Sequence, residues 1–135
     1  MADTAPLQRV LTAGVPAVST AGDDEDTVIA QAPFDCTVVA VEYVPEAAIT
    51  GADGNSRAVS VVNKGADGAG ATEVAALEFA SGTDASANDE TALALSGTAA
   101  DADLDGGDTL QWRSLAVGTG MADPGGLVRV TVERR

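Results

Sequence analysis

FDCTVVAVEYVP, residues 34–45, is the longest unbroken run of β-branched and aromatic residues in the chain. Its centre, VVAV, is apolar at successive positions, so a strand formed there has apolar side chains on both faces. In a sandwich one face of a strand packs on the opposite sheet, and the second face of this strand therefore needs a cover. We expect that cover to be a neighbouring subunit bound at Val39, Val41 and Tyr43. The alternatives are the N-terminal segment or the loop after Pro45.

Short strand-like runs continue on both sides of this stretch, separated by turns rich in Gly, Pro and Asp. The run 72–80, TEVAALEFA, has the Ala, Glu and Leu content of a helix but the alternation of a strand. We interpret it as a strand, because Gly82 follows too soon for a long helix. In 108–118 the alternation changes phase after Ser114, which predicts a bulge or a bend between two sheets. The remaining predicted strands cover 27–32, 57–63, 91–96 and 127–133.

These runs predict an all-β protein, an antiparallel β-sandwich or jelly roll of about seven or eight strands. Residues 1–22 are rich in Ala, Thr, Pro and Gly and show no sustained period, which predicts an extended N-terminal arm with at most one short strand. The sandwich domain is then expected to span residues 23–135. A chain of 135 residues and 13.3 kDa fits one such domain.

The charge balance, seven Lys and Arg against 21 Asp and Glu, gives a net charge of −14. A chain this acidic repels polyanions, so we do not expect nucleic acid as a partner. The sequence has no His, and Cys36 is its only Cys. This excludes an intramolecular disulfide, a Ser–His or Cys–His nucleophile pair and a zinc site built on Cys or His. Within its apolar run, Cys36 is expected to be a buried, inert thiol.

No basic-then-apolar signal opens the chain, and no apolar run approaches the ~18 residues needed to span a bilayer. We therefore expect a soluble protein made in a cytoplasm, without a membrane partner. Aromatic residues make up only 3% of the chain, which leaves a thin core of Ala, Val and Leu and favours self-association. The same shortage of ring faces argues against a sugar-cleaving carboxylate pair, and we expect no enzymatic activity.

Asp101, Asp103 and Asp105, followed by Gly106, have the DxDxDG spacing of a calcium loop. In an EF-hand the bidentate acid would fall at position 112, which is Trp112, and no flanking helices are predicted. We interpret the motif as a solvated hairpin turn, with calcium bound in a geometry other than the EF-hand as the alternative. No other cofactor is expected.

The run FDCTVVAVEYVPEAAITGADGNSRAVSVVNKG and the ending GGDTLQWRSLAVGTGMADPGGLVRVTV resemble the small jelly-roll head proteins of tailed bacteriophages, the capsid decoration or cement proteins. The resemblance covers residues 27–133, and its motifs are strands and turns rather than catalytic signatures. It implies a homotrimer that binds the major capsid protein on the outer surface of the virion and stabilises the shell. It also implies shell or subunit contacts from the N-terminal arm, for which we single out Pro6, Leu7, Val10, Leu11 and Val15.

The expected function is therefore that of a structural virion protein, made in the host cytoplasm and located on the capsid surface. The alternative is a jelly-roll binding module on a virion or fibre that attaches to host-surface glycans, with calcium at Asp101, Asp103 and Asp105. A third hypothesis is a small metal-dependent hydrolase.

Overall fold

A computed structural model describes residues 7–135, which form ten β-strands and one short 3-10 helix over Ala99–Ala102. The strands are β1 (Gln8–Val15), β2 (Glu25–Gln31), β3 (Cys36–Pro45), β4 (Asn55–Asn63), β5 (Thr72–Glu78), β6 (Thr91–Ala92), β7 (Ala94–Leu95), β8 (Asp103–Leu104), β9 (Thr109–Gly118) and β10 (Gly126–Arg134). In this described part of the chain no helix is long and apolar enough to cross a membrane.

The strands form two antiparallel sheets packed face to face. In sheet 1 the order is β1-β10-β3-β6, with β8 also paired to β3, and in sheet 2 it is β2-β9-β4-β5-β7. Successive strands from β1 to β4 alternate between the two sheets, and β4 and β5 form a hairpin within sheet 2. The two packed antiparallel sheets confirm the predicted all-β sandwich. There are ten strands rather than seven or eight because 91–96 divides into two strands and because β1 and β8 are additional.

The N-terminal segment 1–22 contains strand β1, which pairs with β10 along its whole length, from Gln8 opposite Glu133 to Val15 opposite Gly126. From residue 8 to residue 15 this segment is thus an edge strand of sheet 1 rather than a separate arm. The side chains of β1 alternate between the two faces of sheet 1, so that Leu11 and Val15 turn towards the core.

Strand β3 contains a bulge at Val39, which explains its run of apolar residues. Val132 of β10 lies opposite Val38 and Thr131 lies opposite Ala40, so Val39 has no partner in the register. The extra residue changes which face the following side chains occupy. Val38 and Val41 therefore both point into the core, each 1% exposed, although they are three positions apart.

Strand β9 has no bulge after Ser114, and that prediction is wrong. Its register with β4 runs without a shift from Gly118 to Leu110, and Ser114 continues the buried face formed by Leu110 and Trp112. The alternation changes phase in the sequence but not in the strand, because Ser114 is polar yet faces inward, where its hydroxyl is hydrogen-bonded. The irregularity beside this strand lies in β2, between Val28 and Ala30.

The core lies between the sheets and is built around a few large side chains. Tyr43 and Trp112 meet there with ring centroids 5.0 Å apart, and Phe79 is also fully buried. The predicted strand at 72–80 is confirmed as β5, Thr72–Glu78, and it contributes Val74 and Ala75 to this core. Phe34 is different, because it lies half-buried at one end of the sandwich.

Candidate functional site

The outer face of sheet 1 is an exposed strand surface with few charges, created by the alternation of side chains. On β1, β10 and β3, every residue whose side chain turns away from the core contributes to it. We call this set the outer face: Gln8, Val10, Thr12, Gly14, Thr37, Val39, Ala40, Glu42, Val44, Leu127, Arg129, Thr131 and Glu133.

Three of the six large hydrophobic side chains exposed on the described protein lie on the outer face. They are Val10, Val39 and Leu127, which are 49%, 37% and 38% exposed. The only charged residues on the face are Glu42, Arg129 and Glu133, and Glu42 forms an ion pair with Arg129 at 3.4 Å. Its net charge is therefore −1 in a chain of −14, so this surface can approach another protein with little repulsion.

The residues singled out for arm contacts divide between surface and core. Leu7 is 43% exposed and Val10 is on the outer face. Leu11 is half-buried and packs against the core, and Val15 belongs to the core. Pro6 lies outside the described residues. Of these positions, Leu7 and Val10 are therefore the ones available for a contact.

The three candidates for a subunit interface are likewise divided between the surface and the core. Val39 is on the outer face, whereas Val41 and Tyr43 are 1% and 0% exposed between the sheets. The expectation that all three share one face is corrected by the bulge at Val39, which turns the next residues inward. Val10 and Ala40 lie in one row across β1, β10 and β3, so Val39 and Val10 are brought to the same face.

Asp101, Asp103 and Asp105 do not converge on one point. The Asp101 carboxylate accepts a hydrogen bond from Ser96 Oγ at 2.6 Å, and that of Asp103 accepts one from Thr37 Oγ1 at 2.9 Å. Asp105 pairs with the last residue, Arg135, at 3.2 Å. In residues 7–135 no three His, Cys, Asp or Glu side chains are grouped in a way that could hold a metal ion.

The turn after these aspartates is held by Asp108 instead. Its carboxylate accepts hydrogen bonds from the Asp105 backbone N–H at 2.9 Å and from Asn63 Nδ2 at 3.1 Å. The DxDxDG spacing thus corresponds to a hydrogen-bonded turn that links the start of β9 to the end of β4.

A buried arginine forms a polar site that the sequence analysis missed. Arg57, on β4, is 1% exposed and donates to the backbone carbonyl oxygens of Met121, Ala21 and Asp23 at 2.6, 3.1 and 3.0 Å. A further Nη1–H donates to Ser114 Oγ at 3.2 Å. The guanidinium thereby ties the loops after β1 and β9 to sheet 2.

Asp123 continues this network into sheet 1. Its carboxylate, 2% exposed, accepts hydrogen bonds from Tyr43 Oη at 2.5 Å, from Ser114 Oγ at 2.6 Å and from the Gly125 backbone N–H at 3.1 Å. Burial, and then the bond to the Asp123 carboxylate, raise the pKa of Tyr43 far above its ordinary value. The signals for this site were an arginine inside an otherwise small, apolar strand and an aspartate before Pro-Gly-Gly.

The Cys36 thiol and a surface groove are two further candidates for a functional site. Burial raises the pKa of the Cys36 thiol, and the side chain is 0% exposed, so the reactive thiolate is disfavoured. An open groove of about 590 Å³ lies beside β5 and β7, lined by small and polar residues that include Thr72, Glu73 and Ser96. Its lining contains no aromatic side chain of the kind that sugars stack on.

Comparison of the chain with protein-family models, with curated proteins and with solved structures gives no match.

Proposed function

We propose that this protein is a structural virion protein, a capsid decoration or cement protein that binds the outer surface of a shell as a trimer and performs no catalysis. The observation that carries the proposal is the outer face of sheet 1, where Val10, Val39 and Leu127 are exposed on a surface with few charges. We assign this face to contacts between subunits of the trimer.

The size of the outer face supports a role in which many weak contacts add up. Three strands about 4.8 Å apart, each with about eight residues rising ~3.4 Å, span roughly 14 Å by 27 Å, or about 400 Å² in plan. A stable interface of standard size buries about 800 Å² on each partner. A contact of half that size is weak alone, but in a closed trimer each subunit is held by two such contacts at once.

The jelly-roll fold itself supports the proposal in a more general way. Its two sheets present flat outer surfaces and loops gathered at the ends, which suits binding to an extended protein surface. Fold alone does not specify function, so the proposal depends on the chemistry of the outer face rather than on the topology.

The first experiment is a measurement of the solution mass by sedimentation equilibrium. We expect about three times the chain mass of 13.3 kDa, and a monomer across the micromolar range would overturn the trimer. The second is co-sedimentation of the protein with empty, expanded phage shells, where saturable binding and a raised melting temperature of the shell are expected.

The glycan-binding alternative gives a different result in thermal melts of the isolated protein. A rise in melting temperature that depends on a sugar, or one that calcium produces and a chelator reverses, would favour the alternative. An unchanged melting temperature in both tests, together with shell binding, supports the structural role.

A further inference from the structure

The two ends of the sandwich differ in charge. The connections β1–β2, β3–β4, β5–β6 and β9–β10 cover residues 16–24, 46–54, 79–90 and 119–125, and the antiparallel strand order gathers them at one end. These four connections hold eight acidic residues and no Lys or Arg. We call this the acidic end: Asp23, Asp24, Glu46, Asp53, Asp84, Asp89, Glu90 and Asp123.

The opposite end carries most of the cations. Its connections, residues 32–35, 64–71, 96–102 and 105–108, hold one Lys and five Asp, and the arginines at the strand ends join them. Arg9 comes from the start of β1, and Arg134 and Arg135 come from the end of the chain. We call this the arginine end. Four of the seven Lys and Arg residues thus lie at this end, whereas the connections of the acidic end hold none.

Two of these arginines share one aromatic platform. The guanidinium carbon of Arg134 lies 4.6 Å from the centre of the Phe34 ring, and that of Arg9 lies 5.9 Å from it. Stacking on a ring leaves the N–H edges of a guanidinium free for hydrogen bonds in its own plane. The half-buried Phe34 side chain is therefore shared by two exposed arginines.

The other arginines of the described chain are already engaged. Arg57 is buried in its network, and Arg113, Arg129 and Arg135 form ion pairs with Asp26, Glu42 and Asp105. Among residues 7–135, neither Arg9 nor Arg134 forms a salt bridge, although the chain has three acids for every cation. Two neighbouring cations repel each other, and an anion placed between them relieves that repulsion.

We propose that Arg9 and Arg134, held on the Phe34 ring, form a binding site for the carboxylates of an acidic segment of a partner protein. The arginine end then faces that partner and the acidic end faces solvent. An acidic protein segment suits the site better than a nucleic acid, because a long polyanion would also meet the strongly negative remainder of the molecule. The inference deepens the proposed function, since the shell is the partner there, but the site itself lies within one chain.

The test uses the full chain and a fluorescein-labelled hexaglutamate peptide, followed by fluorescence anisotropy at pH 7 and low ionic strength. We expect Arg9→Gln and Arg134→Gln each to weaken peptide binding at least about fivefold, since charge-assisted hydrogen bonds are lost. Phe34→Leu keeps both charges but removes the platform, and a loss of about threefold is expected. Arg113→Gln changes the net charge equally at a distant position and should stay within about twofold.

Equal losses in Arg113→Gln and Arg134→Gln would overturn the site, because net charge alone would then explain binding. Failure of the parent chain to bind the peptide would also overturn it. A hexathymidine oligonucleotide that binds equally well through Arg9 and Arg134 would assign the site to phosphates and overturn the choice of carboxylates. Melting temperatures within about 2 °C of the parent are expected for Arg9→Gln and Arg134→Gln, which change exposed positions. For Phe34→Leu, which changes a half-buried position, a single cooperative melt shows that the variant remains folded.

A failure of this binding site can be distinguished from a failure of the proposed function. A monomeric protein that binds the peptide through Arg9 and Arg134 contradicts the trimer and supports this site. A trimer that binds shells and ignores the peptide contradicts the site alone.

Discussion

Asp123 and Arg57 are charged residues that the fold buries almost completely, at 2% and 1% exposure. Each is satisfied by hydrogen bonds to other segments: Asp123 by the hydroxyls of Tyr43 and Ser114, and Arg57 by carbonyl oxygens of two loops. Burial of a charge is tolerated only when its hydrogen bonds are made, so these contacts fix the positions of both loops. The Asp123 carboxylate joins the two sheets, because it accepts from Tyr43 of sheet 1 and from Ser114 of sheet 2.

The substitution Asp123→Asn keeps the shape of the side chain but removes its charge. The change removes the buried negative charge that is linked to Arg57 through the Ser114 hydroxyl, and it weakens the bonds from Tyr43 and Ser114. We expect the free energy of unfolding to fall by about 2–4 kcal/mol, measured by urea unfolding followed by Trp112 fluorescence. Glu46→Gln, the same charge change at an exposed position, should cost less than about 0.5 kcal/mol. Equal midpoints for the two variants would contradict a stabilising role for the network.

Tyr43 makes stability depend on alkaline pH. Its pKa is raised in the folded protein above the ordinary value of 10.0, so the unfolded chain loses this proton first. The stability that Tyr43 contributes is therefore fully present below pH 10 and is lost as the pH rises above it. Between pH 10.5 and 11.5 we expect Tyr43→Phe to reduce the pH slope of the unfolding free energy by about 1.4 kcal/mol per pH unit. The buried Cys36 thiol adds a slope of the same sign, and the Tyr43→Phe variant retains this contribution. Equal slopes in the variant and the parent would therefore contradict the role of Tyr43.

At the scale of elements, strand β3 owes its two apolar faces to one unpaired residue. The bulge at Val39 assigns Val38, Val41 and Tyr43 to the core and leaves Val39 on the outer face. Strand β1 completes that face, and it also covers the edge of β10. A deletion of residues 1–21 therefore removes a paired strand and two core-facing side chains, so point substitutions test contacts of the outer face more cleanly.

The substitution Val39→Asp tests the outer face as a subunit interface. It places a charge within the proposed contact, and we expect the solution mass to fall from about three chains to one. Val28→Asp is the matched control, because Val28 is 66% exposed on β2 in the other sheet, and it should leave the mass unchanged. If Val39→Asp remains trimeric while folded, the subunits associate through a different surface.

At the scale of the whole molecule, the dominant electrostatic term is repulsion. Eight acidic residues lie where four connections meet at one end of a chain with a net charge of −14, and in residues 7–135 three partly exposed ion pairs oppose the repulsion. Exposed pairs contribute about 0–1 kcal/mol each and are weakened by salt, while repulsion between many like charges is relieved by salt. The balance therefore favours stabilisation by added salt.

We expect the melting temperature to rise by several degrees between 10 mM and 0.5 M sodium chloride, measured by differential scanning calorimetry. Potassium chloride should give the same rise, since screening does not distinguish the two cations. A melting temperature that falls with salt would mean that the ion pairs outweigh the repulsion.

The strands themselves could be predicted from the sequence, because β-branched composition and alternation act over neighbouring residues. The stretches around β3, β4 and β10 were identified for that reason, and the all-β sandwich follows from them. The place of Cys36 within an apolar run also indicated its burial.

Features that depend on pairing between distant segments could not be predicted from local patterns. The bulge at Val39 exists only in register with β10, and the bond from Tyr43 to Asp123 joins residues 80 positions apart. The acidic clusters were visible in the chain, but their meeting at one end, opposite Arg9 and Arg134, depends on strand order. Local propensity thus set which residues form strands, while tertiary packing set which face each strand presents and which charges become neighbours.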